Sequence, residues 1–129
     1  MNSPEVTILV PNYRTPEITR LCLRLLRKHT DPAKIRVIAI DNDSGEDDES
    51  LHYLRSLQWI ELIERKSVPG ESPGASHAAA LDMALAKVTT PYDMSKHTYT
   101  FVLRDDWMEY ILGVIQQEDN IGGVGSWKL

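Results

Sequence analysis

Two runs constrain this chain most: Val6-Thr7-Ile8-Leu9-Val10 and Ile35-Arg36-Val37-Ile38-Ala39-Ile40. Each is short, rich in β-branched residues and nearly continuous in its apolar character. A strand with one wet face would alternate instead, so these read as strands covered on both faces. Between them, Thr15-Pro16-Glu17 carries the marks of a helix start. A hydroxyl can cap, a proline suits the first helical position, and a carboxylate meets the positive helix end. Ile18, Leu21, Cys22, Leu25 and Leu26 then recur at helical spacing, and Asp31-Pro32 ends the run. Strand, helix, strand with buried strands predicts a parallel sheet joined by right-handed crossovers.

The pattern continues. A helix is expected over Asp47 to Leu57, with Leu51, Leu54 and Leu57 inward. Trp59 to Glu64 alternates more and reads as a strand nearer an edge. Lys66 to Glu71 is a loop, and Ser72-Pro73 repeats the cap-then-proline signal before the helix-forming run Ala75 to Val88. After Thr90-Pro91 a weakly patterned fourth strand lies near Tyr92 to Lys96, and Phe101-Val102-Leu103 is a further extended piece. Asp105 or Asp106 is expected to cap a last helix with Trp107, Ile111 and Ile115 on one side. Ile121 to Trp127 reads as one more strand beginning, which predicts a single domain over 1–129, truncated at its C-terminus. The expected strand order is third, second, first, fourth, with helices on both faces.

Composition narrows the function. The chain has 129 residues and a formal charge of -5, which suits one compact domain and argues against a nucleic-acid partner, whose phosphates call for clustered Lys and Arg. One cysteine allows no internal disulfide and fits a reducing compartment. No signal peptide is evident and no apolar run approaches a membrane span. A cytoplasmic location is therefore expected, with the inner membrane surface as the alternative. Arg20, Arg24 and Arg27 form a basic helix face that reads as solvated.

In open parallel sheets, ligands bind beyond the carboxyl ends of the strands. Three polar segments follow apolar strands and should meet there: Pro11-Asn12-Tyr13-Arg14, Asp41-Asn42-Asp43-Ser44 and His97-Thr98-Tyr99-Thr100. Several familiar sites are excluded. No G-x-G-x-x-G follows the first strand and no P-loop is present. Asp41-x-Asp43-x-Gly45 has its glycine one place early for a calcium loop, and His52 stands where the bidentate Glu belongs.

The segments VTILVPNYRTPEITRLCLRLLRKHT, IRVIAIDNDSGED, PGASHAAALDMALAKVTTPY and FVLRDDWMEYIL, in that order, resemble the N-terminal half of family-2 glycosyltransferases. The resemblance implies the GT-A fold, a Rossmann-like three-layer α/β sandwich with a mostly parallel sheet. It implies a nucleoside-diphosphate sugar as partner, with a UDP-sugar favoured. Tyr13 would stack on the base, Asp41 would accept its N–H, Pro11 would shape the base pocket, and Gly74 would line the diphosphate side. A complete enzyme would transfer the sugar, with inversion, to a saccharide or other acceptor. The family holds Mg or Mn on an Asp-x-Asp at the turn that here reads His97-Thr98-Tyr99. Those two side chains suit such hard cations poorly, so no tightly bound cofactor is expected, and this chain alone is expected to be inactive.

From the residues alone, Tyr13 reads equally as a half-buried aromatic, and Asp41 as a turn aspartate satisfying its own backbone. Asp43 and Ser44 read as turn and cap residues, Cys22 as a small core residue, and His77 as facing the site or packing within its helix. The alternative to a transferase is a non-catalytic, degenerate nucleotide-binding or interaction module.

Overall fold

The computed structural model describes residues 3–125. Its strands are β1 (Val6–Asn12), β2 (Ile35–Asn42), β3 (Glu61–Arg65) and β4 (Tyr92–Ser95), and its helices are α1 (Pro16–Lys28), α2 (Glu49–Ser56), α3 (Pro73–Leu85) and α4 (Trp107–Ile115). The four strands form one sheet in the order β3-β2-β1-β4, every pair parallel. This is the order the pattern predicts, with the alternating strand β3 at an edge.

The strands are buried on both faces because each face has its own core. On one, Val6, Ile8, Val10, Val37 and Ala39 pack with Leu23 and Leu26 of α1, Leu54 of α2 and Met108 of α4. On the other, Leu9, Ile38, Ile40 and Ile63 pack with Ala80 and Ala84 of α3. The alanines let α3 approach the sheet closely, and the result is three layers.

Four details differ from the sequence pattern. First, β1 runs through Pro11 to Asn12. The Leu9 carbonyl accepts from the Lys96 amide at 2.8 Å, so Leu9 faces β4. Pro11, two residues on, faces the same side past the end of β4, where its missing N–H leaves no ladder bond unmade.

Second, α1 is rotated from the expected stripe. Thr19, Cys22, Leu23 and Leu26 are buried, whereas Ile18 and Leu21 are 41% and 47% exposed. The Thr19 hydroxyl donates to Asn12 Oδ1 at 2.6 Å, a buried bond that an apolar periodicity cannot register. Thr15 holds the cap position without capping; its hydroxyl bonds the Thr19 hydroxyl at 2.9 Å instead.

Third, neither Asp105 nor Asp106 caps α4, and the piece Phe101 to Leu103 adds no strand to the sheet. Val102 is buried and closes the core beside Met108. Asp106 stands at the α4 cap position with no side-chain cap bond and pairs with Arg104 at 2.8 Å. Asp105 Oδ1 lies 2.7 Å from His29 Nδ1. Fourth, residues 121–125 form no strand; Ser126 and Trp127, the rest of that expected strand, lie outside the described residues.

The turn after β2 depends on Gly45, whose φ is +102° and where a Cβ would sit 3.2 Å from Asp47 Oδ1. Gly45→Ala is expected to cost more than about 1 kcal/mol, read as a lowered midpoint in denaturant unfolding at unchanged slope.

Candidate functional site

All four strands point their carboxyl ends at one rim. It gathers Pro11, Asn12 and Tyr13 after β1, Asp41 to Gly45 after β2, Arg65 at the end of β3, the start of α3, and His97 to Thr100 after β4. The three polar segments expected to meet do so.

Asn12 is the hub, 2% exposed. Its Nδ2 donates to Asp41 Oδ1 at 2.9 Å and to the Ser50 hydroxyl at 3.0 Å, while its Oδ1 accepts from Thr19. The Asp41 carboxylate also accepts from the Ser44 hydroxyl at Oδ1, 2.6 Å, and from the Ser44 amide at Oδ2, 3.1 Å. A carboxylate offers about four acceptor positions. Three are taken within the protein, which leaves one, on Oδ2. Arg14 ties the first two segments together, its amide donating to the Ser44 hydroxyl at 3.1 Å and its Nε to the Ser44 carbonyl at 2.9 Å.

A second network lies beside it. Arg65 donates from Nη1 to Asn42 Oδ1 at 2.8 Å and to the Ser76 hydroxyl at 3.2 Å, and from Nη2 to Glu71 Oε2 at 2.5 Å. Asn42 Nδ2 donates to the Ser76 hydroxyl at 2.8 Å. Arg65 holds the Glu71 carboxyl below its ordinary range, and Glu71 in turn raises Arg65. Glu71 Oε1 is, among the described residues, the one buried side-chain oxygen or nitrogen without a hydrogen-bond partner. Sequence reasoning missed Arg65, Glu71 and Ser76. Arg65 ends the third strand and carries the same signal as the other three segments, a polar residue at the carboxyl end of an apolar strand.

Asp43 has a positive φ of 62°. Its Oδ2 accepts from the Ser67 hydroxyl at 2.6 Å and from the Ser67 amide at 3.2 Å, and these bonds lower its carboxyl pKa. Asp43 and Glu71 thus anchor the loop before α3. Both carboxyls are depressed in the folded state, so their support is present above the ordinary carboxylate range and is lost as the pH falls below that range, through their lowered values. The Ser67 amide resonance is expected to titrate with a midpoint below that of an ordinary aspartate, about 3.9; an amide indifferent to acid would contradict this anchor.

Tyr13 stands 57% exposed at the rim, with the Arg14 guanidinium 6.0 Å from its ring centre. Gly74 lies in the first turn of α3, and a Cβ there would meet nothing within 4 Å. At the third segment the His97 ring stacks on His77 of α3, centres 5.4 Å apart, and on Tyr99, centres 5.0 Å apart and planes 7° from parallel. This answers where His77 points.

A divalent metal fits this turn badly. Hard cations take carboxylate oxygens, and His97 and Tyr99 bring none. Among the described residues no three His, Cys, Asp or Glu side chains gather as a metal would need.

A hollow of about 440 Å³ lies elsewhere, among Leu23, Arg24, Arg27, Lys28, Tyr53, Leu57 and Trp59. Leu57 and Trp59 precede β3, at the opposite end of the sheet. Arginines cover its aromatic faces, Arg20 on Tyr53 and Arg27 on Trp59. The rim, with its converging polar groups, is the stronger candidate. Among the described residues no helix is long and apolar enough to cross a membrane.

A four-stranded parallel sheet of this order between helices is an α/β fold similar to glycosyltransferase domains. The chain is similar to the mannosyltransferase PcManGT from Pyrobaculum calidifontis, solved in complex with GDP-Man and Mn2+, with a TM-score of 0.67 and 18% identity over 89% of this chain and 33% of that one. It is also similar to TarS from S. aureus, with a TM-score of 0.65 and 14% identity over 96% of this chain and 38% of that one. The chain thus spans 33% and 38% of the two structures' lengths, and at these identities the likeness shows the fold. No family model and no curated protein matches the sequence.

Proposed function

We propose that the rim binds a nucleoside-diphosphate sugar and that the chain is the donor-binding domain of a family-2-type glycosyltransferase. The observation that carries this is the convergence of Tyr13 and Asp41 at the strand ends of a fold shared with a mannosyltransferase that holds GDP-Man. Tyr13 offers an exposed ring face to a base. Asp41 keeps one acceptor position, on Oδ2, for a base N–H. Pro11 extends β1 to the rim and so sets where both stand. Gly74 leaves room for a diphosphate beside the first turn of α3. Glu71 Oε1 is an acceptor in want of a donor, which a sugar or ribose hydroxyl supplies. In the whole enzyme an acceptor hydroxyl attacks the anomeric carbon, that carbon inverts, and the nucleoside diphosphate leaves.

The donor set at His97 and Tyr99 makes this binding indifferent to divalent metal. Thermal unfolding with UDP and GDP, each with Mn2+ and with chelator, tests both points. A ligand at one hundred times its Kd stabilises by about 2.7 kcal/mol. A rise in Tm with at least one nucleotide, equal with Mn2+ and with chelator, is expected. No rise with either nucleotide would remove the nucleotide reading, and a rise abolished by chelator would show that another donor set holds a metal.

A further inference from the structure

Cys22 and Lys96 form a buried pair that the rim chemistry does not use. Cys22 is fully buried on α1. Lys96, the residue after β4, is 3% exposed, and its Nζ donates to Cys22 Sγ at 3.2 Å and to the Thr100 carbonyl. The thiol in turn faces the carbonyls of Thr100 and His97, at 3.7 and 3.9 Å. No carboxylate lies within salt-bridge distance of Lys96 among the described residues. A lysine amine is thus held against a thiol, away from water, where neither meets a competing nucleophile.

We propose that Cys22 and Lys96 are a site of oxidative cross-linking, in which one oxygen atom bridges Sγ and Nζ. The oxidant is dioxygen, small and apolar enough to enter a packed interior. The neutral amine, the thiol and one dioxygen give S–O–N–H and one water. The S–H bond and one N–H bond break, and an S–O and an O–N bond form. Sulfur and nitrogen each give up two electrons, and dioxygen takes the four. The chain has one cysteine, so no second thiol within it competes for the oxidised sulfur. The link would fasten α1 to the end of β4, one residue before His97, and so fix the turn that carries the His97–Tyr99 stack.

The test is intact-mass and peptide mass spectrometry of the full chain after exposure to air-saturated buffer, before and after dithiothreitol. The expected product gains one oxygen and loses two hydrogens. Its titratable thiol falls from one per chain toward zero and returns with the reductant. Proteolysis should yield one cross-linked species joining the peptides that contain Cys22 and Lys96. Both Cys22→Ser and Lys96→Met, checked for native circular dichroism, should lose that species. Should Lys96→Met fail to fold, the cross-linked peptide of the unsubstituted chain decides alone. A thiol that stays free, or a Cys22 that gains one to three oxygens with Lys96 unmodified, would overturn the proposal.

Discussion

Asn12→Asp is expected to destabilise the fold by about 3–5 kcal/mol at neutral pH, the range for leaving a buried charge uncompensated. The substitution keeps the shape of the side chain and inverts its role. Asn12 Nδ2 now donates to Asp41 Oδ1 at 2.9 Å and to Ser50. An aspartate there sets a second carboxylate against the first, with both sites 2% exposed. Two carboxylates sharing a buried site hold one proton between them more tightly than the unfolded chain does. Folding then takes up a proton, so stability is lowest above the ordinary carboxylate range and recovers as the pH falls toward it. Urea unfolding at neutral and at mildly acid pH measures this. Equal loss at both would mean that packing, and not charge, makes Asn12 the hub.

Asp41→Asn is expected to weaken nucleoside-diphosphate binding by about 1.5–3 kcal/mol, the contribution of a hydrogen bond to a charged group. One acceptor position is left on Oδ2 for the base N–H. Because the same carboxylate anchors Ser44, the variant also loosens the turn, and a second change separates the two effects. Tyr13 is exposed, with the Arg14 guanidinium 6.0 Å from its ring centre, so Tyr13→Ala should leave the unfolding curve unchanged. It should still cost about 1–3 kcal/mol of binding if a base stacks there. Calorimetric titration of both variants checks this; unchanged affinity in Tyr13→Ala would take the base away from that ring.

The layered fold was legible because its signals are local and apolar. The continuous runs at Val6–Val10 and Ile35–Ile40 demanded cover on both faces, and the helical stretches between them supplied it. The same reasoning misplaced the stripe on α1, because Thr19 is buried by a hydroxyl bond to Asn12, a contact between elements that no periodicity carries. The rim was legible as a place and only partly as a set of residues. Asp41 announces itself at the end of a strand. Arg65 and Glu71 become a pair only when the loop between them folds back, and His77 reaches His97 only across the sheet edge from α3.

Whether the strand-end rim is a nucleotide site is read from amide chemical shifts while UDP and GDP are titrated into the protein. Saturable shifts concentrated at Asn12 to Arg14, Asp41 to Gly45 and His97 to Thr100, alike with Mn2+ and with chelator, are expected. Shifts confined to the hollow around Arg27 and Trp59, or none at millimolar nucleotide, would contradict a nucleotide site at the rim.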